Sequence, residues 1–195
     1  MARSIEFDYD KALERATRLF WRDGYAGTSL RGLLKVIGIG EGSFYNTLRS
    51  KKLLYIECLR HYSETEGRER MLALMSAPTA SMGVRALFDV VLNCLDDPKT
   101  PSRLCMMAGM VTEDVLADPD LRRMVQDGTA TLTKRIAARL SADKKEGKLP
   151  STLNPRTTAS VITVYLQGLW RMALISYSRS EFEQQINVFL SGLGL

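Results

Sequence analysis

At 195 residues the chain is long enough for one large domain or a small one joined to a larger one. With 27 Lys and Arg against 22 Asp and Glu, the net charge is +5, which favours a polyanionic partner without requiring one. Hydrophobic residues make up 45%, enough for a sizeable core. No apolar run reaches transmembrane length, and charges run through residues 1–20, so neither a membrane span nor a secretory leader is expected. Cys58, Cys94 and Cys105 are widely spaced with no CxxC pair, and His61 is the single histidine. No zinc site or other metal is therefore expected, and a reducing, cytoplasmic setting is.

Helical periodicity dominates. Asp8 is a candidate N-cap for a first helix whose Ala12, Leu13, Ala16, Leu19 and Phe20 share one face, and Gly24 ends it. Thr28 or Ser29 caps a second helix with Leu30, Leu33, Leu34 and Ile37 along one side. Gly38 stops that helix and Gly40-Glu41 starts a third, too short to stand without packing neighbours. Ser50 caps a long fourth helix, Ser50 to Met75, with a polar middle (SETEGRER), closed by Pro78.

A buried helix then spans Met82 to Leu95, and the run CMMAGMV predicts an enclosed one. Asp118-Pro119 opens a helix to Lys145, acidic at its start and basic at its end, which suits the helix dipole. Asn154-Pro155 starts another, to about Tyr177, too apolar for one-sided packing, and a last helix runs from about Ser180 to Leu190. No strand alternation or internal repeat is present, so the expected fold is all-α with about nine helices. A small N-terminal domain is expected over residues 1–49 and a larger helical one over 50–195.

The chemistry concentrates in Thr28–Lys52, TSLRGLLKVIGIGEGSFYNTLRSKK. Two short helices hinged at a glycine, with five cations against one acid, describe a helix-turn-helix whose second helix enters the major groove. Gly40, Gly42 and Ser43 are small enough for close approach to DNA. Ser43 can bond a base or phosphate, Tyr45 a phosphate, and Asn46 either. Arg31 can reach guanine or phosphate, Lys51 and Lys52 are placed for the backbone, and Phe44 points to the core.

With FxxxGYxxTSLRxLLxxIGIGEGSFYNTLxSKxxLY from Phe20 to Tyr55, the chain resembles the tetracycline-repressor (TetR) family of transcriptional regulators. The likeness is specific over about 50 residues and rests elsewhere on length and helical content alone. It implies a homodimer on double-stranded, palindromic operator DNA, more often a repressor released by a small-molecule effector than an activator. By position it implies DNA contacts at Thr28, Arg31, Ser43, Tyr45, Asn46 and Lys51. Glu41 and Gly32 depart from the family pattern, and Glu41, beside Gly42, can accept from cytosine N4 while repelling phosphate.

Reading a palindrome takes two heads about 34–36 Å apart or a multiple of that. The Pro155–Tyr177 helix and the last helix are the expected four-helix dimer interface, through Val161, Tyr165, Leu166, Leu169, Phe182 and Phe189. For an apolar or aromatic effector the candidates are Met71, Phe88, Met106, Met107, Met110 and Trp170, a set equally suited to plain core. His61 with Glu57 and Glu64 is a surface constellation, and no paired-carboxylate or phosphate-loop signature exists, so neither an enzyme nor a bound cofactor is expected. An alternative regulator would sense thiol chemistry through Cys105, near Arg103, or Cys94.

Overall fold

A computed structural model describes residues 8–195; the first seven residues of the expected 1–49 head lie outside them. The described residues hold eleven helices and no strand. Asp8 accepts from Lys11 N at 3.1 Å to start α1 (Tyr9–Gly27), which kinks at Gly24 (φ 72°). Ser29, not Thr28, caps α2 (Leu30–Ile37) by accepting from Gly32 N at 3.0 Å. Gly38 then turns the chain at φ 82°, a left-handed conformation in which any Cβ would be strained. From that turn α3 (Glu41–Leu48) leaves toward Ser50, whose hydroxyl accepts from Leu53 N and caps α4 (Lys51–Glu64).

The long fourth helix expected from Ser50 to Met75 is two helices. Thr65 breaks it with φ −97° and ψ −86°, and its Oγ1 donates to His61 O at 3.0 Å. A hydroxyl that takes the carbonyl of the preceding turn competes with the helical ladder, and Gly67 two residues on lowers helix propensity further. Beyond the break, α5 (Glu66–Ser76) crosses α6 (Ala80–Asp96) so closely that a Cβ on Gly83 would sit 2.3 Å from Leu74 O.

The apolar run around Met106 is likewise interrupted. It forms α7 (Met106–Gly109), and α8 (Glu113–Ala117) follows. Together these two breaks explain the excess over nine helices. After them α9 (Pro119–Lys145) packs along α10 (Pro155–Ile175), where the Thr133 and Thr163 hydroxyls meet at 3.0 Å. The chain closes with α11 (Arg179–Gly192), whose Phe182, Ile186 and Leu190 turn into the same core.

One buried network pins these layers. Asp143 on α9, 1% exposed, accepts from Ala80 N and from Arg139, while Arg139 also donates to Ala77 O at 2.8 Å. The end of α9 is thereby tied to the α5–α6 connection.

Candidate nucleic-acid interface

The head is built so that α3 shows one face to its own core and the other to solvent. Phe44 and Leu48 are buried, one turn apart, against the same core as Phe20, Leu33, Ile37 and Tyr55. Glu41, Gly42, Ser43, Tyr45, Asn46 and Thr47 are exposed. Tyr45 keeps half of its surface in solvent while its ring meets the edge of Phe44 at 5.5 Å. Its hydroxyl is therefore carried on a fixed ring rather than on a free arm. Gly40 caps α3 with no side-chain hydrogen bond, so nothing bulky shields the first turn.

Exposed cations flank this row. Arg31 and Lys35 lie one turn apart on α2, and Arg49 follows α3 with a positive φ of 62°. None of the three makes an ion pair among the described residues, and Glu41 does not neutralise them. Sequence reasoning counted Lys35 and Arg49 as charge without naming them as contacts. The four-residue spacing of Arg31 and Lys35 was the available signal for the first.

Three expected contacts are engaged within the protein itself. Thr28 is 1% exposed and its Oγ1 donates to Gly24 O at 2.7 Å. Its hydroxyl closes the end of α1 and cannot also reach a phosphate, which corrects the role implied for it. Lys51 rests its ammonium 4.5 Å from the Tyr25 ring centre, where burial lowers its pKa. Lys52, expected to reach the DNA backbone, is turned away instead: its Nζ donates to Asp118 at 3.0 Å and Asp120 at 2.7 Å, at the start of α9. The hydrogen bond from Lys52 holds the Asp118 carboxyl below its usual range, so this contact persists above ordinary carboxylate pKa values and is lost as pH falls through the lowered one.

The expected interface residues divide by burial. Leu166, Leu169 and Phe182 are 1%, 5% and 4% exposed and belong to the subunit's own core, so they are not available to a partner. Tyr165 stacks on Phe189 at 3.8 Å, both half-buried. Val161 does face outward, and with Val164, Gly168, Met172 and Ile175 it forms an exposed stripe on α10 at spacings of three and four. Val188 on α11 is exposed as well. The error is one of helical phase: α10 is apolar on nearly every side, and spacing alone does not say which apolar face turns inward.

The expected effector residues are core. Phe88 and Met110 are fully buried, Met106 and Trp170 nearly so, and Met71 and Met107 partly. One cavity, of about 450 Å³, lies instead between α1, α5, α6 and residues 97–101. A second, of about 260 Å³, adjoins Trp21, Leu104, Cys105 and Leu174 and takes in Met106 alone of that set.

Residues 12–58 match the family model for bacterial regulatory proteins of the tetR family. Over 197 aligned residues, 99% of this chain and 100% of its relative, the sequence is 28% identical to YezE of Bacillus subtilis, an uncharacterized HTH-type transcriptional regulator. It is 23% identical to the HTH-type transcriptional repressor ComR of Escherichia coli, across 84% of this chain and 78% of that one. Among solved structures, a cysteine mutant of the TetR family regulator CifR, complexed with 26-base-pair operator DNA, superposes with a TM-score of 0.88 at 25% identity, covering 98% and 100% of the two chains. The reduced form of Escherichia coli NemR shares the fold, with a TM-score of 0.79 at 23% identity over 94% and 93%. With the exposed α3 row and the hinge at Gly38, these likenesses make the chain a member of the TetR family of helix-turn-helix DNA-binding transcriptional regulators.

Proposed function

We propose that the chain is a homodimeric, cytoplasmic repressor whose two heads read the half-sites of a palindromic operator and which a small-molecule effector releases. The observation that carries the DNA side of this reading is the solvent-facing row of α3, Ser43, Tyr45 and Asn46, bracketed by the unpaired cations Arg31, Lys35 and Arg49. The operator complex of CifR and the repressor activity named for ComR support it. In this reading residues 1–49 bind DNA, Glu41 and Gly42 border the groove, and residues 50–195 dimerise and sense. The exposed apolar stripe from Val161 to Ile175, with Val188 likewise exposed on α11, supports the partner being a second copy. To shift occupancy from 99% to 1%, the effector must prefer the released state by about 10⁴-fold, near 5.5 kcal/mol.

The test is selection of bound duplexes from a random pool, repeated with Arg31→Ala. Wild type enriches two inverted half-sites. The variant loses discrimination at one base pair by about 1–3 kcal/mol. An equal loss on random DNA would assign Arg31 to phosphate alone.

A second reading, release by thiol modification, draws on Cys105. Its sulfur accepts from the buried Tyr62 hydroxyl at 3.3 Å and adjoins the smaller cavity. Cys94 is the more accessible of the two, half-buried in the lining of the larger cavity, although burial pushes its pKa up. Mild iodoacetamide treatment followed by peptide mass analysis checks this: the sensor reading expects Cys105 alkylation together with operator release, and full retention of operator by the alkylated protein rejects it.

A further inference from the structure

The larger cavity has an unusual floor. Arg70, on α5, is only 9% exposed, yet among the described residues it forms no ion pair. One guanidinium nitrogen donates to Tyr62 Oη at 3.2 Å. The guanidinium carbon lies 5.4 Å from the Tyr62 ring centre and 5.5 Å from that of Trp170. Two aromatic rings thus fix the fork, and the one hydrogen bond leaves most of its five donors uncommitted. Elsewhere the protein treats buried or half-buried arginines differently: Arg139 is held by Asp143, and Arg179 by Asp96 and Glu183. Arg70 is the one buried guanidinium among the described residues left without an anion, although Glu66 stands one turn before it on the same helix.

The surroundings leave room for a small guest. Trp21, Val90, Cys94 and Pro101 give the cavity an apolar part among charged neighbours, and its volume of about 450 Å³ falls within the usual range for small-molecule sites. The strap at its rim is fastened, because Arg18 donates to Lys99 O at 2.7 Å and Lys99 N to Asp97 at 2.8 Å. Glu66, Glu69 and Asp97 border the space against Arg18, Arg70 and Lys99, so the lining has no net positive charge to hold a guest with two negative charges. A single carboxylate on an aromatic or aliphatic body satisfies the fork, which matches carboxylate geometry in bidentate fashion.

We propose that this cavity is a binding site for a small organic monocarboxylate, with Arg70 as its anchor. The proposal rests on the reading that residues 50–195 carry an effector site, and it names that effector's chemical class.

The experiment titrates the full chain with benzoate, phenylacetate, indole-3-acetate and hexanoate at millimolar concentration, with benzamide and benzylamine as neutral and cationic counterparts. Tryptophan emission is read because Trp21 lines the cavity and Trp170 stacks on Arg70. At least one carboxylate is expected to change the emission saturably and to raise the melting temperature, while the two counterparts do neither. In Arg70→Met the affinity falls by at least about tenfold, and Arg70→Lys restores part of it. A merely structural arginine would lower the ligand-free melting temperature of Arg70→Met and leave no carboxylate-dependent shift in wild type. The site is overturned if no carboxylate binds, if benzamide matches benzoate, or if a folded Arg70→Met binds as wild type does. Should Arg70→Met fail to fold, the wild-type comparison of benzoate with benzamide decides. Carboxylate binding that leaves the operator complex intact supports the site and instead rejects the release reading, so the two failures are distinct.

Discussion

Asp143→Ala is expected to lower the melting temperature by about 6–20 °C, the largest stability effect of any single side chain outside the apolar core. The carboxylate is 1% exposed, and each of its oxygens has a defined donor, Ala80 N for one and Arg139 for the other. Truncation leaves the Arg139 guanidinium 15% exposed with no counter-ion, and removes the acceptor for an amide at the start of α6. Losing one partner of a buried pair costs about 3–5 kcal/mol, because the other charge is stranded. In a domain of this size each kcal/mol moves the midpoint by about 2–4 °C. Thermal unfolding followed by circular dichroism measures the shift. The Arg139→Ala/Asp143→Ala pair should cost less than the sum of the single losses, since it leaves no stranded charge. A single-variant shift within the scatter of surface substitutions would show that the network contributes nothing.

Val164→Arg should produce monomers and weaken operator binding by about 10²- to 10⁴-fold, the span by which joining two modules exceeds one alone. Val164 is 68% exposed at the middle of the α10 stripe, so the new cation is solvated in the monomer and buried only against a second copy. Folding is therefore spared and association is not. Leu166→Arg separates these effects, because Leu166 is 1% exposed and a charge there damages the subunit itself. Sedimentation velocity and operator titration on Val164→Arg together decide the matter. A dimer that persists at wild-type affinity would move the interface elsewhere.

Much of the head was legible because its signals are local. Ser29, Gly38 and Ser50 act at helix ends through their own side chain or backbone, and Phe44 is set off from its polar neighbours clearly enough to fix the phase of α3. Thr28 was misplaced because its partner, the Gly24 carbonyl, appears only once the kink in α1 is formed. In the other half, neighbours along the chain stop deciding. Arg70 lies in the polar run SETEGRER, which reads as solvated surface, yet the break at Thr65 turns it beneath Trp170, far along the sequence. Both faces of α10 carry apolar residues, so only packing within the subunit, chiefly against α9, separates Leu166 from Val164. The methionine cluster was open between pocket and core for the same reason, and packing fills the space around Met110.

The Lys52 contact carries a mechanical consequence. Its ammonium joins the first turn of α4, which directly follows the DNA head, to Asp118 and Asp120 at the first turn of α9, the helix that lies along α10. A head that swings with the tie intact must drag the N-terminal end of α9, and a head that swings freely must first break it. Strain therefore has a route to the head that enters at the first turn of α4 and bypasses the rest of that helix, α5 and the break at Thr65. In the dimer we propose, the salt link would act as a clutch: engaged, it would couple the spacing of the two reading helices to α9, and disengaged, it would let each head turn on its own.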